Sequence, residues 1–484
     1  MHKRFVGNII SRTLLIISFI MLVPLGWAVH DDIHSQETFA FLLTISFGAI
    51  LSALFILIFR IKKSDTRHIN AKDGLAIVGL SWICLSAFGA LPLYLSHSTA
   101  TYTDAFFEIA SGFTTTGATI FKDIESLPRG VLFWRCLTQW LGGMGIIVLY
   151  IALLPALGVN ATQLFKAESP GLSVEKAEPR IKETAKHLWT IYFVFSFLET
   201  VLLYVGGMSF FDALCHTFTT MSTGGFSTRN ASIGAFSPYI QWVIIVFMFL
   251  AGINFVLHYQ LFKGRHKYIY WNEEFRTYLL MIVFLIPVFA VILSESGLSA
   301  TPFRAAAFQI VSILTTTGFT TANFDLWPDL LKFSLVILMF IGGCGGSTAG
   351  GMKIMRVILS VKIALRSGMQ SLFPNIVMPI KYSGRPVSEK IVFAVLSYFV
   401  IFIFLFLFGT FLFIITESCD LITAFTAAIS ALSNIGPGLA RVGAIENYAW
   451  ISIPGKWILS CLMLAGRLEL YSILILFLPA TWKK

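Results

Sequence analysis

The chain has 484 residues, of which 56% are hydrophobic and 12% charged, with a formal net charge of +10. So few charges could not cover the core of a soluble protein of this size with polar surface, so the composition excludes a soluble globular chain and implies a polytopic membrane protein. The six cysteines (Cys84, Cys136, Cys215, Cys344, Cys419, Cys461) are scattered without a CxxC pair, which indicates neither a disulfide framework nor a metal site.

Lys3 and Arg4 precede an apolar run from Leu14 to Val29, in the manner of a secretory signal. No small-residue cleavage site follows, and apolar stretches continue to the end, so an uncleaved first helix is expected. Since a span needs about 20 apolar residues, the predicted spans are 13–30 and 38–60, then 74–96 and 131–157, 185–207 and 237–262, 276–298 and 331–366, and 390–416 and 455–479. Basic residues cluster in alternate loops: Arg60 to Arg67, Lys166 to Lys186, Lys263 to Lys267, and Lys353 to Arg385. The loops between them are poorer in base and often acidic, as at Asp31-Asp32, Asp123 and Asp420. This positive-inside pattern places both termini in the cytoplasm. Basic charge therefore reports topology and implies no nucleic-acid partner.

Within each of the last four pairs, a shorter apolar piece begins near Asp104, Asp212, Pro302 or Asp420 and ends in a small, mostly hydroxyl-bearing segment closed by glycine. These segments are Thr114-Thr115-Thr116-Gly117, Ser222-Thr223-Gly224, Thr315-Thr316-Thr317-Gly318 and Ser433-Asn434-Ile435-Gly436. A helix from Asp104 to Thr115 reaches roughly 17 Å, about half of a ~30 Å hydrocarbon core. The predicted order is outer helix, half-helix, extended segment and inner helix, four times in one orientation. Parallel repeats imply an axis along the membrane normal. The expected fold is all-α: an N-terminal helix pair (1–66) and four pore repeats (67–165, 166–265, 266–370 and 371–484) in a pseudo-fourfold ring, the third with a broken inner helix.

Non-helical backbone at membrane depth is tolerable only where protein buries it or where it lines water. An extended segment on the axis meets that condition if its carbonyls replace the hydration of a permeating ion. Glycine permits the positive φ that aims successive carbonyls inward, the half-helix C-termini favour a cation, and the hydroxyls brace the segment locally. Close helix packing by small residues is the competing explanation for any one such segment. Four copies between paired spans favour the filter.

Phe113 to Thr119 (FTTTGAT) after Asp104-Ala105-Phe106-Phe107-Glu108, the run Gln139-Trp140-Leu141-Gly142-Gly143-Met144-Gly145, and the glycine cluster Gly342 to Gly351 resemble the TrkH-type subunits of the Trk/Ktr/HKT potassium-transporter superfamily. The resemblance spans the chain, and the extra N-terminal pair matches the Trk type better than the shorter Ktr type. It implies K⁺ as the permeant ion with no organic cofactor, a bacterial inner-membrane location, a homodimer with one pore per subunit, and a cytosolic TrkA-like nucleotide-binding regulator. The fourth segment departs from the hydroxyl pattern at Asn434 and Ile435, which puts exact fourfold regularity in question.

No continuous helix tolerates the run containing Gly342, Gly343, Gly345, Gly346, Gly350 and Gly351. It reads either as a cytoplasmic turn or as an intramembrane loop below the filter, and the resemblance implies a gate. Arg467 lies 11 residues after Lys456, roughly 16 Å along a helix and thus at mid-membrane. Charge there must face protein or water, so Arg467 either pairs with another helix or, as the resemblance implies, faces the pathway or the glycine loop. Glu108, Glu199, His216, Asn254, His258 and Gln309 are expected to hydrogen-bond between helices. A secondary transporter coupling K⁺ to H⁺ or Na⁺ is the alternative function. An integral-membrane enzyme lacks support, since there is no HExxH, phosphate-binding loop or nucleophile with a base.

Overall fold

The computed structural model describes residues 2–60, 71–145 and 181–482. The first predicted span is Lys3–Ile20, bent at Met21 into Leu22–Asp31, and the second is Gln36–Ile58, N-capped by Ser35. This pair flanks the first repeat: Lys3–Ile20 packs on Ala71–Gly89, and Leu22–Asp31 on Arg129–Trp140.

The outer helices are Ala71–Gly89, Ile181–Val205, Glu273–Glu295 and Glu389–Thr416. The half-helices are Tyr102–Phe113, Phe210–Met221, Pro302–Leu314 and Leu421–Ser433. Two of these pore helices begin just before the expected aspartates, because Thr101 and Ser209 cap them. Thr101 Oγ1 accepts from Asp104 N at 3.1 Å and Ser209 Oγ from Asp212 N at 3.0 Å, while each aspartate carboxylate receives its cap hydroxyl in return at 2.9 Å. Asp420 is itself the cap of the fourth, and proline opens the third.

The inner helices depart most from expectation: a break was expected in the third alone, but among the described residues the second and fourth are broken as well, and the first changes to a π-helical turn. Arg129–Trp140 passes into a π-helical turn at Leu141–Gly145, and the rest of its predicted span to 157 lies outside the described residues. Pro238–Ala251 bends by 95° into Phe255–Phe262. Asp329–Ile341 resumes as Ile354–Leu372 after the glycine run, and Ile453–Arg467 resumes as Tyr471–Phe477 after Glu469 and Leu470 adopt positive φ. Two breaks have local causes: Gly252 and Asn254 in the second, where Asn254 Oδ1 caps the new helix at Val256 N at 2.9 Å, and the glycine run in the third.

Each pore helix packs on the inner helix of the preceding repeat, and the first packs on Ile453–Arg467 of the fourth, so the series closes on itself. An aromatic pair lies at every junction: Phe133–Phe218, Trp242–Phe303, Phe340–Phe425 and Phe106–Trp457, with ring centroids 5.7, 6.2, 6.3 and 4.6 Å apart. The closing junction also carries an ion pair, Lys456 Nζ to Asp104 Oδ1 at 2.6 Å.

Candidate ion-conduction site

The four glycine-closed segments meet. A Cβ built on Gly117 would lie 2.2 Å from Gly224 O, on Gly225 2.0 Å from Thr317 O, on Gly318 1.8 Å from Ile435 O, and on Gly436 2.8 Å from Thr116 O. Each closing glycine thus abuts a main-chain carbonyl of the next repeat, and the fourth abuts the first. Gly117, Gly225, Gly318 and Gly436 also line one open cup on the side where the pore helices begin, together with Lys122, Arg135 and Glu446.

Every segment has the same backbone rhythm, with positive φ at its second and fourth positions: Thr115 and Gly117, Thr223 and Gly225, Thr316 and Gly318, Asn434 and Gly436. The second segment is therefore one residue longer than the sequence reading gave it. Its closing residue is Gly225, while Gly224 occupies the third place, where Thr116, Thr317 and Ile435 stand. Adjacent glycines hid the register.

Hydroxyls brace the segments as expected. Thr114 Oγ1 donates to Ala110 O at 2.6 Å and contacts Thr116 Oγ1 at 2.8 Å, and Thr315 does the same to Val311 O and Thr317 at 2.7 and 2.8 Å. Ser222 Oγ donates to Phe218 O at 2.7 Å. Asn434 substitutes for a hydroxyl by reaching further, its Nδ2 donating to Thr116 Oγ1 of the first repeat at 3.0 Å and to Met463 O at 2.9 Å. Three of the expected filter carbonyls already have protein donors: Ser222 O accepts from Thr223 Oγ1 at 2.6 Å, Gly224 O from Gln139 Nε2 at 2.6 Å, and Gly436 O from Ser430 Oγ and Tyr448 OH at 2.7 and 2.6 Å.

Behind the segments runs a periodicity that single-motif reading misses. Six residues before each first filter position stand Glu108, His216, Gln309 and Ala427, and eleven residues after the first three stand Thr119, Ser227 and Thr320. Glu108 Oε1 accepts from Thr119 Oγ1 at 2.9 Å, and His216 Nε2 lies 3.0 Å from Ser227 Oγ. Aligning the repeats on Gly117, Gly225, Gly318 and Gly436 exposes this pairing, which alignment on Gly224 puts out of register by one. Glu108 also meets Arg135 at 2.7 Å, with both side chains fully buried, and Arg135 lies over the Phe226 ring at 4.3 Å. Removing one partner of a buried pair leaves an uncompensated charge, at a cost of about 3–5 kcal/mol. Arg135→Met is expected to lower the melting temperature in detergent markedly, and adding Glu108→Leu to recover much of the loss; additive losses in the two variants would contradict the coupling.

Against the expectation of bonds between helices, His258 Nε2 lies 3.0 Å from Leu250 O and Asn254 caps its own helix, while the buried Gln309 amide has no hydrogen-bond partner among the described residues. Outside the spans, Asn230 Nδ2 donates to Asp123 Oδ1 at 3.0 Å and holds that carboxyl below its ordinary range, tying the loop after the first segment to the loop after the second.

The glycine run forms a loop packed against the segments. Gly350 N donates to Thr316 Oγ1 at 2.6 Å, and Cβ on Gly350 would meet Ser433 O at 2.2 Å. Thr348 Oγ1 donates to Met221 O at 3.0 Å and sits 3.3 Å from Ala251 O, so the loop reaches the second repeat. Arg467 Nη1 donates to Thr348 O at 2.7 Å, and Nη2 to Gly142 O and Gly143 O at 2.6 and 2.9 Å. Loop and guanidinium together link all four repeats beneath the segments. Of the two placements the sequence left for Arg467, its partners are the glycine loop and the π-helical turn; Glu469 pairs instead with Arg356.

A closed ring of half-length helices and glycine-closed segments among long apolar helices defines a polytopic helical membrane protein. Residues 33–484 match the model of the TrkH family, described as cation transport proteins. The chain is 39% identical to the Trk system potassium uptake protein TrkH of Salmonella typhimurium and 38% identical to that of Escherichia coli K12, each alignment covering 100% of both chains. Its structure is similar to the crystal structure of the potassium transporter TrkH from Vibrio parahaemolyticus, with TM-score 0.88 and 35% identity over 100% of both chains. The chain belongs to the TrkH family, whose members are cation transporters and not enzymes.

Proposed function

We propose that this chain takes up K⁺ across the bacterial inner membrane through a channel-like filter formed by the four segments. The observation that carries the reading is cyclic: each closing glycine lies against the next repeat's carbonyl, the fourth against the first. Main-chain oxygens concentrated on one axis can replace the hydration of an alkali cation, and four converging pore-helix C-termini favour positive charge. The relatives' names supply the choice of K⁺.

The glycine loop and Arg467 act as the gate in this reading. A guanidinium on the axis opposes cation passage, and a loop tied to a filter hydroxyl occludes the exit. A cytosolic TrkA-like nucleotide-binding subunit moves the loop, and two copies of the chain form a homodimer with a pore in each, both termini being cytoplasmic. Uptake of radioactive Rb⁺ into proteoliposomes tests the conduit, run with and without a pH gradient. Passive uptake driven by a K⁺ gradient alone is expected. Absence of flux from folded protein would overturn the reading, and uptake that requires the pH gradient would identify coupled transport instead.

A further inference from the structure

We propose that Glu274 is a positioning residue for the glycine loop, holding it in its occluding conformation. The proposal rests on the reading of that loop as a gate. Glu274 lies in the first turn of the third outer helix, 3% exposed, and its carboxylate enters the neighbouring structure. One oxygen, Oε1, accepts from Gly345 N at 2.7 Å and from Met355 N at 3.0 Å, while Tyr382 OH donates to Oε2 at 3.4 Å.

Gly345 is near the start of the loop and Met355 is in the first turn of Ile354–Leu372, so one atom pins the stretch at both ends. That helix has no side-chain cap of its own at Lys353, which sits at φ 73°. A carboxylate supplied from another helix therefore satisfies an orphan amide and complements the dipole at this N-terminus. If Met355 and Gly345 separate, one oxygen can no longer bridge them and at least one charge-assisted bond breaks.

The preceding residue links the same point to a hairpin that follows Ile354–Leu372 in the chain. Lys381–Tyr382 pairs antiparallel with Arg385–Pro386, and in the turn between them Ser383 N donates to Glu273 Oε2 at 3.1 Å while Ser383 Oγ accepts from Glu273 N at 3.1 Å. Lys362 pairs with Glu273 as well. Glu273 thus holds the hairpin and Glu274 the loop, one peptide unit apart. A displacement of the hairpin acts on the loop without passing through the filter.

The test is single-channel recording of the chain alone in planar bilayers. Glu274→Ala is expected to raise open probability about tenfold with the K⁺/Na⁺ reversal potential unchanged, while Glu274→Gln, which keeps an acceptor oxygen, stays within about threefold of the parent. Amide exchange at Gly345 and Met355 should quicken in the alanine variant and not in the glutamine one. Gly346→Ala serves as the loop control: Gly346 has φ 73°, and a Cβ would lie 3.0 Å from the Asn254 side chain. Altered gating in Gly346→Ala with none in Glu274→Ala overturns the positioning role and leaves the gate standing. Unaltered gating in both overturns the gate itself. If the alanine protein does not fold, Glu274→Asp takes its place, and unchanged open probability and exchange in that shorter carboxylate overturn the proposal.

Discussion

Serine at Gly318 is expected to abolish most of the preference for K⁺ over Na⁺, moving the reversal potential in mixed K⁺ and Na⁺ solutions toward that of a non-selective pore. Two costs coincide at this residue. Its φ of 81° disfavours any L side chain by roughly 1–2 kcal/mol. More severely, the new Cβ would lie 1.8 Å from Ile435 O, a backbone atom that cannot rotate aside. The fourth segment must shift, and a displaced carbonyl ring no longer fits one ion size. Gly117→Ser and Gly225→Ser face carbonyls at 2.2 and 2.0 Å and should behave alike, whereas Gly436, with 2.8 Å of clearance, should give the mildest loss. Gly224→Ser is a further check on register, since its Cβ would strike the Gln139 side chain at 2.4 Å and not a neighbouring carbonyl. Unchanged reversal potentials across the set would remove these positions from the filter.

Arg467→Ala is expected to raise partner-free Rb⁺ flux about tenfold or more while leaving selectivity intact. The guanidinium donates to carbonyls of the glycine loop and of the π-helical turn, bridging the third and first repeats, which stand on opposite sides of the ring. Charge-assisted bonds contribute about 1.5–3 kcal/mol each, enough for a tenfold shift even if water recovers much of the loss. Selectivity is spared because the filter segments are braced by Thr114, Thr315, Asn434 and Gln139 and make none of these bonds to Arg467. Lysine keeps the charge but not the planar fork, so Arg467→Lys should fall between the two. Flux that is the same in all three proteins would deny Arg467 any part in limiting passage.

The membrane class, the four repeats and the glycine-closed segments were legible in the sequence because each depends on a local signal: apolar length, a half-length helix and a residue that tolerates positive φ. What sequence reading missed was set by single backbone torsions or by contacts between residues far apart in the chain. The break in the second inner helix carries only the weak local mark of Gly252 with Asn254, and in the fourth the backbone turns at Glu469 and Leu470, which no propensity would suggest. The Gly225 register was hidden because only the positive φ separates two adjacent glycines. Arg135 is not singled out by the sequence and Gln139 enters only as part of a resembling motif, yet one meets Glu108 and the other donates to Gly224 O of the next repeat. Glu274 carried no local signal; the amides it holds lie 71 and 81 residues away.

Diffraction at the Rb⁺ absorption edge, from crystals grown in Rb⁺, tests the carbonyl ring most directly. An anomalous peak is expected on the axis among the segments beginning at Thr114, Ser222, Thr315 and Ser433, within coordinating distance of main-chain oxygens from all four, and lost in Gly318→Ser. A peak bound instead by side-chain carboxylates elsewhere in the membrane region, or none on that axis in well-ordered crystals, would contradict it.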